Sequence, residues 1–99
     1  MSGHRVDEIV ERARERLGML EDVMAGLGEV TAEAMSVDGR VWVQVDGGGG
    51  MIALHLAESA CRLEAAELSA AILATAHEAA RIAARKRDRL LSDLRESFR

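Results

Sequence analysis

Apolar positions along this chain change their spacing twice. From Val6 to Leu27 they recur at helical intervals: Val6, Ala13, Leu20 and Leu27 form one series, and Val10, Leu17 and Met24 form a second beside it. Both series fall on one side of a helix and give it a coiled-coil character. The spacing then shifts to alternation, in Val30, Ala32 and Ala34, in Val41, Val43 and Val45, and in Ile52, Leu54 and Leu56. Strand side chains point to opposite faces in turn, so the three valines take one face and Trp42, Gln44 and Asp46 the other. Asp38-Gly39 and the run from Asp46 to Gly50 separate the alternating segments. Both read as hairpin loops, because Asp and Gly tolerate positive φ. Glu58 to Leu63 reads as a connector. Helical spacing resumes at Glu64 and runs to about Phe98, led by a narrow stripe of Leu68, Ile72, Ala76, Ala79 and Ala83.

The pattern predicts an α+β fold in one domain: a long helix over about 5–27, a three-stranded antiparallel meander over about 29–56, and a long helix over about 64–98. Gly26 and Gly28 are placed to end the first helix, and Gly18 to mark the close approach of another helix. The charged segment Arg85-Lys86-Arg87-Asp88-Arg89 is where the last helix could bend, though no Gly or Pro forces it.

Composition sharpens this. The chain has 99 residues, with one Trp, one Phe, no Tyr and no Pro. Its core must therefore be built from Ala, Val, Leu, Ile and Met, with helices close together. Two amphipathic helices and three strands carry more apolar surface than one such chain can bury, which predicts an intertwined homodimer. The single cysteine, Cys61, forms no internal disulfide and reads as a small, half-buried connector residue. The first residues lack the apolar segment of a signal peptide, and no apolar run is long enough to span a bilayer; the expectation is a cytoplasmic protein with no membrane partner.

Catalytic and metal chemistry find no foothold. His4 falls at a helix end that should fray, His55 faces away from Leu54 and Leu56, and His77 does not share a helix face with its neighbour Glu78. No metal-ligand spacing accompanies them. Neither an enzyme nor a cofactor is expected. The four glycines after Asp46 are followed by a strand and lack a Lys-Ser or Lys-Thr, so they read as a loop and not as a phosphate cradle. Trp42 reads as an anchor in an interface with a second copy or another partner, with base stacking the weaker alternative because the sheet has no second aromatic. Leu68, Ile72, Ala76 and Ala79 are expected at the same interface.

Charge is uneven. The net charge is −4, yet the last segment is basic, with Arg81, Arg85, Lys86, Arg87, Arg89, Arg95 and Arg99. Arg81, Arg85 and Arg89 recur every four residues and form one helical ridge. Such a ridge can track phosphates without reading bases. On the residues alone it also reads as a solvated face paired with Asp88, Asp93 and Glu96 or with the acidic first helix.

Three stretches resemble the YbaB/EbfC family of nucleoid-associated proteins: Asp38 through Asp46, Gly50-Met51-Ile52-Ala53-Leu54-His55-Leu56, and Glu67 through Ala79. The resemblance covers roughly residues 5–85 and implies a cytoplasmic, nucleoid-located homodimer that binds DNA without metal or cofactor. It tips the basic ridge toward DNA, with Arg81, Arg85, Lys86, Arg87 and Arg89 as the contacts and little sequence selectivity. The first helix is shorter and richer in arginine and acid than is usual in the family, and an arginine-rich extension follows Ala84. Those departures resemble actinobacterial members associated with secretion loci. They imply an alternative role as a protein–protein adaptor, using Leu90, Leu91, Leu94 and Phe98 of the C-terminal helix.

Overall fold

A computed structural model describes residues 2–99, with side chains from residue 3. The order is helix, three strands, a short 3₁₀ turn and helix: α1 (Ser2–Glu29), β1 (Thr31–Met35), β2 (Val41–Asp46), β3 (Met51–Leu56), the turn over Glu58–Arg62, and α2 (Ala65–Ser97). The strands form one antiparallel sheet in the order β1-β2-β3. Trp42 stands opposite Met35 on one side and His55 on the other. A bulge between Gln44 and Val45 shifts the pairing with β3.

α2 packs over β1 and β2. The valine face predicted for β2 is the centre of the core: Val41, Val43 and Val45 are fully buried, with Ala32 and Val30 beside them. Ala79 and Ala83 close the core from the helix side, flanked by Leu68, Ile72 and Ala76. Alanines let helix and sheet approach closely, so a chain nearly without aromatics still packs. The stripe expected to wait for a second copy is thus filled within the chain, and Ala79 keeps no accessible surface. Thr75 is buried in the same helix and donates its hydroxyl to the Ala71 carbonyl at 2.7 Å.

β3 is treated differently. Leu54 and Leu56 share the face of Val43 and Val41 through direct cross-strand pairing, but α2 does not extend over them. They remain 40% and 39% exposed. The sheet has an apolar face of three strands and a helix that covers two.

α1 runs back along the far end of α2. Leu90 lies 3.7 Å from where a Cβ on Gly26 would sit, and the Arg16 guanidinium stands 6.0 Å from the Phe98 ring centre. The result is a rod of 77 × 19 × 16 Å.

Several expectations are corrected. Gly26 and Gly28 do not end α1, which continues to Glu29; among the described residues only Gly39 and Gly49 have positive φ. Gly18 meets no neighbour within 4 Å of an added Cβ, so it marks no close helix approach. His4 is helical and faces Glu8 at 3.5 Å. Cys61 is exposed, because the 3₁₀ turn buries Ala60 in its place. α2 passes through the Arg85–Arg89 segment as one uninterrupted helix.

Candidate nucleic-acid interface

The basic residues of α2 divide by helical position. At 100° per residue, Arg81 and Arg85 lie about 180° and about 140° from the Ala79–Ala83 contact line, while Arg89 stands about 100° from it, on the flank. All three are exposed. Lys86 and Arg87 fall on the two flanks of the buried line and reach the sheet instead. The Lys86 ammonium donates to the Thr31 carbonyl at 2.8 Å, and Arg87 donates to the Gly47 carbonyl at 3.3 Å. These two bonds tie α2 to the start of β1 and to the β2–β3 loop. They leave both charges in place, since a carbonyl is neutral.

The ridge is not free of acid. Glu78 receives two guanidinium N–H donors from Arg81, and the Nε bond is 3.1 Å long. Arg85 approaches its other oxygen at 4.0 Å. The hydrogen bond from Arg81, then the charges of Arg81 and Arg85, hold the Glu78 carboxyl below the usual range. Glu78, not Asp88, Asp93 or an acid of α1, is therefore the ridge's counter-charge. The spacing Glu78–Arg81 was readable as a helical i,i+3 pair. Among the described residues no carboxylate lies within 4.0 Å of the charged atoms of Lys86, Arg87 or Arg89. Arg89 does line a shallow groove between the helices with Glu29 and Asp93.

The C-terminal apolar residues are partly spent. Leu90 packs toward the core and Gly26, and Leu94 is half-buried. Leu91 and Phe98 stay 37% and 42% exposed. The face available to an adaptor is smaller than the sequence suggests, because α1 already occupies part of it.

Trp42 is half-buried on the sheet face away from α2. Its ring lies tilted against His55, with centroids 4.8 Å apart. The glycine loop has no free cradle at its mouth. Asp46 Oδ1 accepts the N–H groups of Gly48 and Gly50 at 3.0 and 2.9 Å, so its own carboxylate occupies the place an anion would take. Among the described residues no group of three His, Cys, Asp or Glu side chains could hold a metal ion. No described helix is long and apolar enough to cross a membrane.

Residues 2–98, from the first turn of α1 to the end of α2, match the YbaB/EbfC DNA-binding family. The chain belongs to that family. YbaB/EbfC proteins are non-enzymatic and bind DNA. No curated protein matches the chain. Membership therefore assigns DNA binding at the level of the family, and the geometry of α2 bears on how this member would do it.

Proposed function

We propose that this YbaB/EbfC protein is a nucleoid-associated homodimer that binds DNA with little sequence selectivity, through phosphate contacts made by the α2 ridge of each chain. The observation that carries the reading is the exposure of Arg81, Arg85 and Arg89 along a helix whose inward face packs on the core, with Arg81 and Arg85 turned outward. Lys86 and Arg87 add positive potential from the flanks. Such a surface neutralises phosphates without requiring any contact to base edges. The uncovered half of the sheet supports dimerisation. Ile52, Leu54 and Leu56 on β3, with the exposed Leu73 of α2, are apolar surface that a second copy would remove from water. Trp42 lies on the opposite sheet face and serves as a secondary contact.

The test is salt dependence. Glu78 offsets one of the ridge's three positive charges, leaving two effective contacts per chain. At about 0.9 per phosphate contact, a dimer gives a slope of roughly −4 in log K against log salt. Arg85→Ala with Arg89→Ala leaves Arg81 paired with Glu78 and only Lys86 and Arg87 on the flanks, so the slope should become clearly shallower and affinity should drop alike for unrelated sequences. Absence of binding by the wild-type protein at low salt, or an unchanged slope in the double variant, would refute the reading. Light scattering checks the dimer, and a stable monomer at micromolar concentration would sink that part.

A further inference from the structure

α1 carries two apolar faces, and the fold uses one. Met19, Val23 and Gly26 are half-buried on the side where Gly26 meets Leu90. Val6, Val10, Ala13, Leu17, Leu20 and Met24 centre roughly 130° further round the helix. There Val6 is 54% exposed, Leu17 54% and Met24 63%. Moreover, Arg16 already stands at Phe98, the C-cap of α2. The first half of α1 thus projects about 20 Å beyond α2, at 1.5 Å per residue. Neither the core nor the DNA ridge accounts for this face.

We propose that it is a self-pairing surface: the α1 helices of two copies align parallel and in register as a short two-stranded coiled coil. Val10, Leu17 and Met24 occupy the a positions of successive heptads, and Val6, Ala13, Leu20 and Leu27 the d positions, so every core layer over 6–27 is apolar. The flanking positions choose the orientation. A parallel pair sets each g residue beside the e residue five positions on in the other helix. That places Arg16 against Glu21 of the partner subunit, twice by symmetry, and Ile9 along the stem of Arg14 of the partner subunit. No like charges meet. A full-length antiparallel pair would instead set Asp7 against Glu21, Arg14 against Arg14 and Arg16 against Arg16. Shifting that pair by one heptad relieves the repulsion but leaves Val6 outside the layers. Charge complementarity and the complete set of layers both select the parallel register.

Cysteine cross-linking tests the geometry directly. In a Cys61→Ser background, Val10→Cys should oxidise to a covalent dimer, because an a residue meets its own copy only in the parallel register. Absence of the cross-link in a folded protein would overturn the proposal. A charge exchange tests the selection. Arg16→Glu should weaken α1-mediated self-association roughly tenfold, an expected loss of about 1.4 kcal/mol, and Arg16→Glu with Glu21→Arg should restore it. Failure of the exchange to restore association would also overturn it. Phe98→Ala removes the ring beside Arg16 and should leave self-association unchanged; a loss equal to that of Arg16→Glu would mean that the arginine acts only within its own chain. The sheet-mediated dimer is scored separately by Leu54→Glu, which should leave the Val10→Cys cross-link intact, and abolition of the link by that change would refute an independent α1 contact.

Discussion

Replacing Glu78 by Gln should make this protein bind DNA more tightly and with steeper salt dependence. Glu78 is the one acid seated in the ridge: it takes two donors from Arg81 and stands 4.0 Å from Arg85. Gln preserves size and one acceptor oxygen but removes the charge that offsets one arginine per chain and repels phosphate. In a dimer the effective contacts rise from four to six, so at about 0.9 per contact the slope steepens from roughly −3.6 to roughly −5.4. Between about 50 and 200 mM salt the wild-type protein should lose roughly 150-fold in affinity and the variant roughly 1,800-fold. The gain is therefore clearest at the lowest salt. Fluorescence anisotropy on two unrelated duplexes reads slope and selectivity together, and circular dichroism confirms that α2 is intact. Acid offers an internal control. The Glu78 carboxyl is held below its ordinary range, so at a pH where ordinary glutamates protonate the wild-type ridge keeps its counter-charge and should not acquire the variant's behaviour. If folded Glu78→Gln binds no more tightly at low salt and keeps the wild-type slope, the outward face of α2 is not the DNA surface.

The glycine loop should discriminate sharply between neighbouring positions. Gly49 has φ +86 and would bring a Cβ within 3.4 Å of Ala80, so Gly49→Val should lower the melting temperature markedly; Gly48 has neither constraint, and Gly48→Ser should melt almost as the wild type does. Gly39→Val, at φ +74, should behave like Gly49→Val. The Asp38 carboxyl is lowered first by the Ser36 hydroxyl, at 2.7 Å, and then by the Arg40 N–H. With its folded value depressed, its contribution to stability is present above the ordinary carboxylate range and is lost as pH falls through the lowered value; Asp38→Asn should flatten that part of the stability–pH profile, and an unchanged profile would show that the loop carboxylate is not coupled to folding.

Much of this architecture follows from local spacing. Alternation identifies the valine face of β2 because a strand side chain has only two directions to choose from, and the core uses Val41, Val43 and Val45 as that rule requires. Asp38-Gly39 and the Asp46 loop were readable as turns because backbone sterics at positive φ act on a residue wherever it sits. Glu78 was readable too, since i,i+3 neighbours on a helix meet regardless of the rest of the chain. Spacing was misleading where a helix had more than one thing it could do. Gly26 and Gly28 suit a helix end, yet Leu90 packs over the helix there and α1 runs on to Glu29.

What only the tertiary structure decided is which surface each amphipathic element meets. Sequence shows that Leu68, Ile72, Ala76 and Ala79 make a stripe, but a stripe looks the same whether its own sheet or a second chain covers it; folding put it on β1 and β2. The same folding left Leu54 and Leu56 uncovered, because one helix is too narrow to shield three strands. It turned Lys86 and Arg87 inward to carbonyls 55 and 40 residues away, while Arg81, Arg85 and Arg89 stayed in water. Periodicity determines that a helix has faces, since this depends on residues a few positions apart. The assignment of those faces depends on contacts between residues far apart in the chain, and no local pattern contains them.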